Sequence, residues 1–185
     1  FSPIGLLVIS AAVAVAGLLF LANAGGWGMI IVAATVYALG KAFLWSTTLG
    51  MTSEQFPKGG ALTLNGVSAV GVLGLGIIGS PFIGYHQDQE VDRQLRESNP
   101  ALHATVSGPV KTAIFGQSPS LDGDKVAALP KEQAAELEKI QAASKQATFS
   151  VIATLPAFML VCYIAMFFWF RSRGGYKPVE IGAGH

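Results

Sequence analysis

Between Phe1 and Gly50 the sequence holds a single side chain of the Lys, Arg, Asp and Glu set, Lys41. A water-soluble domain carries about 25% such residues, spread so that each surface helix has a wet face. Here they make up 12% of 185 residues, and most fall between Asp88 and Lys145 or after Phe170. Segregation of this kind suits segments that lie in hydrocarbon. A net charge of +1 supplies no basic field for nucleic acid. The lone Cys162 sits inside an apolar run, which argues against a disulfide framework or a thiolate metal cage.

Four stretches are long enough to span a bilayer, at about residues 3–22, 28–50, 61–85 and 149–170. About 20 residues rising ~1.5 Å each cover a hydrocarbon core of ~30 Å. Each stretch is apolar all round, as lipid and neighbouring helices both require. Arg171, Arg173 and Lys177 follow the last span directly. The positive-inside rule therefore assigns the tail 171–185 to the cytoplasm. Counting back, Ser53–Gly60 is a cytoplasmic turn, and the turn ending at Trp27 is external with the indole as interfacial anchor. Residues 86–148 are then external as well. The chain opens with Phe1 and its first apolar run lacks a basic flank, so that run does not read as a signal peptide. The expectation is a piece of a longer protein whose earlier helices are its partners.

The external segment differs in kind from the spans. Nine acids stand against seven bases, and their alternation reads as a solvated face. Ser107–Asp124 is rich in Gly, Pro, Ser and Asp and reads as loop. Pro130 followed by Lys131, Glu132 and further helix formers predicts a helix from about Lys131. That helix is expected to run on into the fourth span, where Pro156 should kink it or be compensated by neighbouring helices.

Lys41 is the sharpest functional signal. It lies nine residues from Gly50, or about 13 Å, roughly twice what a lysine stem bridges by snorkelling. An ammonium left in lipid costs about 2.5–3.5 kcal/mol on insertion scales. A bundle interior or wet cavity facing a solute or a carboxylate relieves that cost; the alternatives are a structural pair with an acid on a further helix and a lysine that snorkels where the bilayer thins. Tyr37, Lys41, Trp45 and Thr48 recur at helical spacing and share one face. An aromatic, a cation, an aromatic and a hydroxyl suit a cavity wall for a hydroxyl-rich or anionic solute; equally, aromatics at this spacing pack cores. Asn65 is a further cavity candidate. Glu54 and Lys58 flank the short turn, where each opposes its neighbouring helix dipole; they read as a gate pair or as solvated turn charges. Gly66, Gly71, Gly74, Gly76 and Gly79 with Ser80 offer a small-residue packing surface. Gly74–Gly79 also matches GxGxxG, but within a membrane span it lacks the strand-to-helix turn a dinucleotide site needs. His86, His103 and His185 are scattered. No catalytic constellation, metal site or cofactor is expected.

Gly40-Lys-Ala-Phe-Leu-Trp45, Leu49-Gly-Met-Thr-Ser-Glu54 and Phe56-Pro-Lys-Gly-Gly-Ala61 together resemble the tenth span and following cytoplasmic turn of major facilitator superfamily transporters. The glycine-rich run with Ser80-Pro-Phe-Ile-Gly84 is similar to the eleventh span, and the basic tail fits the end of the twelfth. The long segment before the last span departs from the family's short connection. The resemblance implies an all-α integral membrane fold, the four helices being spans nine to twelve of a twelve-helix bundle with a midplane site and alternating access. It also implies that Tyr37, Lys41 and Trp45 touch solute.

The function expected is secondary active transport of a small polar solute, sugar-like or an organic anion, in a bacterial inner membrane. A proton and Na+ are both open as coupling ions. The rival is a non-transporting receptor or signalling subunit that recognises its partner through residues 86–148.

Overall fold

Ser2 caps the first helix, its Oγ accepting from the Gly5 N–H at 3.1 Å, and Pro3 follows where a missing N–H costs nothing. In the computed structural model, which describes residues 2–179, this helix α1 runs Pro3–Ala22. Phe1 and residues 180–185, His185 and the end of the tail among them, lie outside the described residues. The fold is about 81% helical, with four helices long and apolar enough to cross a membrane. The described residues divide into two compact units: one up to Leu73 and again from Ile152, the other Gly74–Val151.

The first unit is built around α1. Helix α2 (Trp27–Gln55), α3 (Gly60–Gly74) and α8 (Thr154–Ser172) supply its other elements. Eight residues of α1 are buried, among them Ile4, Leu7, Ala11, Ala14, Leu18 and Leu21, because α2 and α8 both pack on it. On α2 only Ala33 and Gly40 are buried, and α3 and α8 bury none. Those three helices present Ile31, Val32, Leu62, Val70, Phe158 and Phe168 outward. The closest backbone approach joins α1 to α2. A Cβ on Gly40 would lie 2.5 Å from the Ala14 nitrogen, and one on Gly17 would lie 2.6 Å from the Tyr37 Cα.

The tight crossing is thus not on the glycine run of the third span. Gly66, Gly74 and Gly76 have open space where a Cβ would stand, and only Gly71 meets another helix, at the Trp45 ring. Gly74–Gly79 itself lies in continuous helix, with a π-helical turn at Leu75–Gly79. Helix α2 stops before Pro57, which cannot donate a helical hydrogen bond and disfavours helical backbone at Phe56, found at φ −126° and ψ 54°. A 3-10 turn, Pro57–Gly59, then leads to Gly60 at φ +49°, a conformation open to glycine.

In the second unit α4 spans Ser80–Ser98, α5 Pro100–Val106, α6 Gly123–Ala127 and α7 Lys131–Ile152. Leu95, Leu102, Val106 and Leu137 form its core, with Val91, Leu121 and Ile140 around them. Helix therefore continues well past Tyr85, aided by i,i+4 pairs such as Arg96 with Asp92. Asn99 caps α5, accepting from the Leu102 N–H at 3.0 Å and donating to Glu136 at 3.0 Å. The stretch read as loop holds an antiparallel hairpin, β1 Lys111–Ala113 and β2 Gly116–Ser118, with Lys111 opposite Ser118. Nor is α7 unbroken into the last span. It ends at Ile152, whose carbonyl the Pro156 ring would strike, and α8 restarts after Ala153.

Candidate functional site

Helix α2 is longer than its apolar run suggests, and Lys41 is its middle residue, fourteen from either end. That is about 21 Å of helix in each direction. Lys41 is exposed, and among the described residues its ammonium has no hydrogen-bond or ion-pair partner. Gly40, one residue earlier, is locked against Ala14. A helix turns ~100° per residue, so Lys41 stands to one side of the α1 seam.

The rest of the stripe divides between packing and open surface. Tyr37 is half-buried, its backbone against Gly17 of α1. Trp45 remains 49% exposed, with its ring edge over Gly71 of α3. Thr48 Oγ1 donates to the Leu44 carbonyl at 2.7 Å, which occupies its proton within the helix. The structure therefore sets Lys41 between two packing contacts, the Tyr37 backbone on Gly17 of α1 and the Trp45 ring on Gly71 of α3. Asn65 is exposed on α3 and makes no hydrogen bond among the described residues, so nothing joins it to the stripe.

Glu54 and Lys58 do not pair with each other among the described residues. Glu54 instead accepts from the Tyr176 hydroxyl at 2.7 Å, while its backbone carbonyl accepts from the Val179 N–H at 2.9 Å. Gln55 Nε2 adds a bond to the Lys177 carbonyl at 2.9 Å. Burial, reinforced by the Glu54 hydrogen bond, pushes the Tyr176 phenol above its usual range. Lys58 is exposed in the 3-10 turn. Glu54 also lines a cavity of about 270 Å³ together with Ser2, Leu6, Thr47 and Met51. Sequence reasoning missed Tyr176 because 122 residues separate it from Glu54; Tyr176 beside basic residues in the tail was the sole clue.

No family model, curated protein or solved structure matches this chain.

Proposed function

We propose that this chain is the C-terminal, membrane-embedded part of a secondary active transporter of major facilitator type. Its solute is a small polar molecule, sugar-like or an organic anion, that passes beside α2 at Lys41. The carrying observation is an exposed, unpartnered ammonium at the centre of a 29-residue helix. Lipid is a poor surrounding for such a group, at ~2.5–3.5 kcal/mol or more, and neither end of α2 is within its reach. A water-filled path, or a carboxylate on a further helix of the same protein, accounts for it. The outward apolar faces of α2, α3 and α8 fit contact with lipid and with those further helices. Tyr37 and Trp45 flank the cation with aromatic surface suited to sugar-like rings, and Thr48 follows on the same stripe. Glu54 with Tyr176 closes the end of α2 that the basic tail assigns to the cytoplasm, and Lys58 stays free there for other loops. Asn65 serves as a secondary cavity residue. The membrane is a bacterial inner membrane, and the coupling ion is a proton or Na+.

Thiol labelling tests the path. Lys41→Cys is introduced with Cys162→Ser into the full-length protein in membrane vesicles, and a water-soluble, membrane-impermeant maleimide is applied. Labelling at position 41 supports a wet path. Protection equal to that of a cysteine placed at the lipid-exposed Val70 would refute it.

A receptor reading draws on one observation, the separate core around Leu95 and Leu137 in residues 74–151. A unit that folds about its own core can present a recognition surface. Solute flux without any partner protein separates the two readings in favour of transport.

A further inference from the structure

The second unit contains a cavity of about 310 Å³ that has no part in the transport reading. Asp88 and Asp92 reach it from one face of α4, Gln141 and Lys145 from one face of α7, and Lys111 from strand β1. The segment that carries Lys111 is pinned on both sides. Gly108 donates to the Ser120 carbonyl at 2.8 Å, Asp122 to Val106 at 2.9 Å, and Ser120 Oγ to Pro109 at 2.6 Å. The wall is thus formed in advance, which lowers the entropic cost of binding.

Its charges are unevenly satisfied. Asp92 is already held, by Arg96 Nε at 2.8 Å and by His103 Nε2 at 2.8 Å. Among the described residues Asp88 receives only the Ser118 hydroxyl, at a long 3.4 Å. Among the described residues no cation lies within 4.0 Å of Asp88, and neither Lys111 nor Lys145 has a carboxylate within that distance. One carboxylate and two ammonium groups therefore border a common space without closing on one another. A simple cation would face two lysines there, and a dicarboxylate would face Asp88. A molecule that carries both signs satisfies all three.

We propose that this cavity binds a small amphoteric solute of the α-amino-acid class. Its ammonium lies against Asp88, its carboxylate against Lys111 and Lys145, and Gln87 and Gln141 amides bond the remaining polar groups. The volume stands at the low end of the range for ligand pockets, which limits the solute to a few heavy atoms beyond the shared backbone. The inference is independent of transport, because Lys41 belongs to the other unit.

Equilibrium dialysis of the full chain in nanodiscs tests it, with radiolabelled glycine, glutamate and lysine, and with succinate and putrescine as ligands of one sign. The expected result is saturable binding of at least one amino acid with Kd below about 1 mM, tighter than either control. Asp88→Asn and Lys145→Gln should each weaken it by about tenfold, whereas Gly66→Ala, with open space around it in the other unit, leaves it unchanged. Asp88→Asn keeps the size of the side chain, Lys145→Gln shortens it at an exposed position, and an unchanged far-UV spectrum shows that each is folded. Absence of saturable amino-acid binding, indifference of that binding to both charge substitutions, or tighter binding of succinate or putrescine that those substitutions weaken would overturn the proposal.

Discussion

Gly40 and Ala14 meet backbone to backbone, so closely that a Cβ on Gly40 would stand 2.5 Å from the Ala14 nitrogen and 2.9 Å from the Ser10 carbonyl oxygen. Helices of a membrane bundle associate by such close packing, because lipid removes the hydrophobic drive between them. The crossing also fixes the rotation of α2, and with it the direction of Lys41.

Gly40→Leu should therefore part α1 from α2. Overpacking costs about 1–3 kcal/mol where neighbours can yield, and here the obstruction is backbone. Thermal unfolding in detergent is expected to fall by several degrees. Gly66→Ala, with open space around it, should match or exceed the native melting temperature, since alanine favours helix by up to ~1 kcal/mol over glycine.

Tyr176→Phe removes the hydroxyl that donates to Glu54 and should release the tail. A spin label at Lys177 would report this as narrower lines at neutral pH. The same release is expected in the native protein on alkalinisation. The folded phenol has its pKa raised above 10.0, chiefly by burial. Its contribution is complete below the unfolded value and is lost as pH climbs through the higher folded value.

Asn99→Ala removes a helix cap and a hydrogen bond to Glu136 together. Loss of the cap alone costs about 0.5–2 kcal/mol. Hydrogen exchange should speed up at Leu102 and His103 in α5, with α1 unaffected.

Glu90 carries the opposite pH signature. A hydrogen bond from Arg93 holds its carboxyl below 4.5 despite partial burial. This contribution is present above the unfolded pKa and disappears as pH drops through the lower folded value. Arg93→Gln should flatten the acid limb of stability for residues 74–151, as followed by hydrogen exchange at Leu95 between about pH 5 and 3.

The mainly helical character and the four long apolar helices were legible from charge segregation and the length of the apolar runs. At α1, Ser2, Pro3 and Asn23 bracket an uninterrupted apolar run. Other features depend on tertiary relations that spacing does not carry. Gly17 and Gly40 are single glycines with no motif of their own, yet they form the tightest contact, while the conspicuous glycine run meets only Trp45. Hydropathy falls near Gly50, but α2 continues to Gln55 because nothing before Pro57 stops it. Helix α4 outlasts its apolar part through ion pairs around Arg93 and Arg96. At the candidate site, the Tyr37–Thr48 stripe could be drawn on a helical wheel. The wheel could not show that Tyr37 faces Gly17 and that the Trp45 ring covers Gly71, because both depend on where α1 and α3 pass.

Solute uptake by the full-length protein in proteoliposomes tests the central claim most directly. A panel of sugars and organic anions would be offered with and without proton and Na+ gradients, to native protein and to Lys41→Ala. Gradient-dependent accumulation of one solute is expected, with at least about a tenfold loss of uptake rate in the variant. Flux unchanged by Lys41→Ala, or none across the panel from correctly inserted protein, would contradict it.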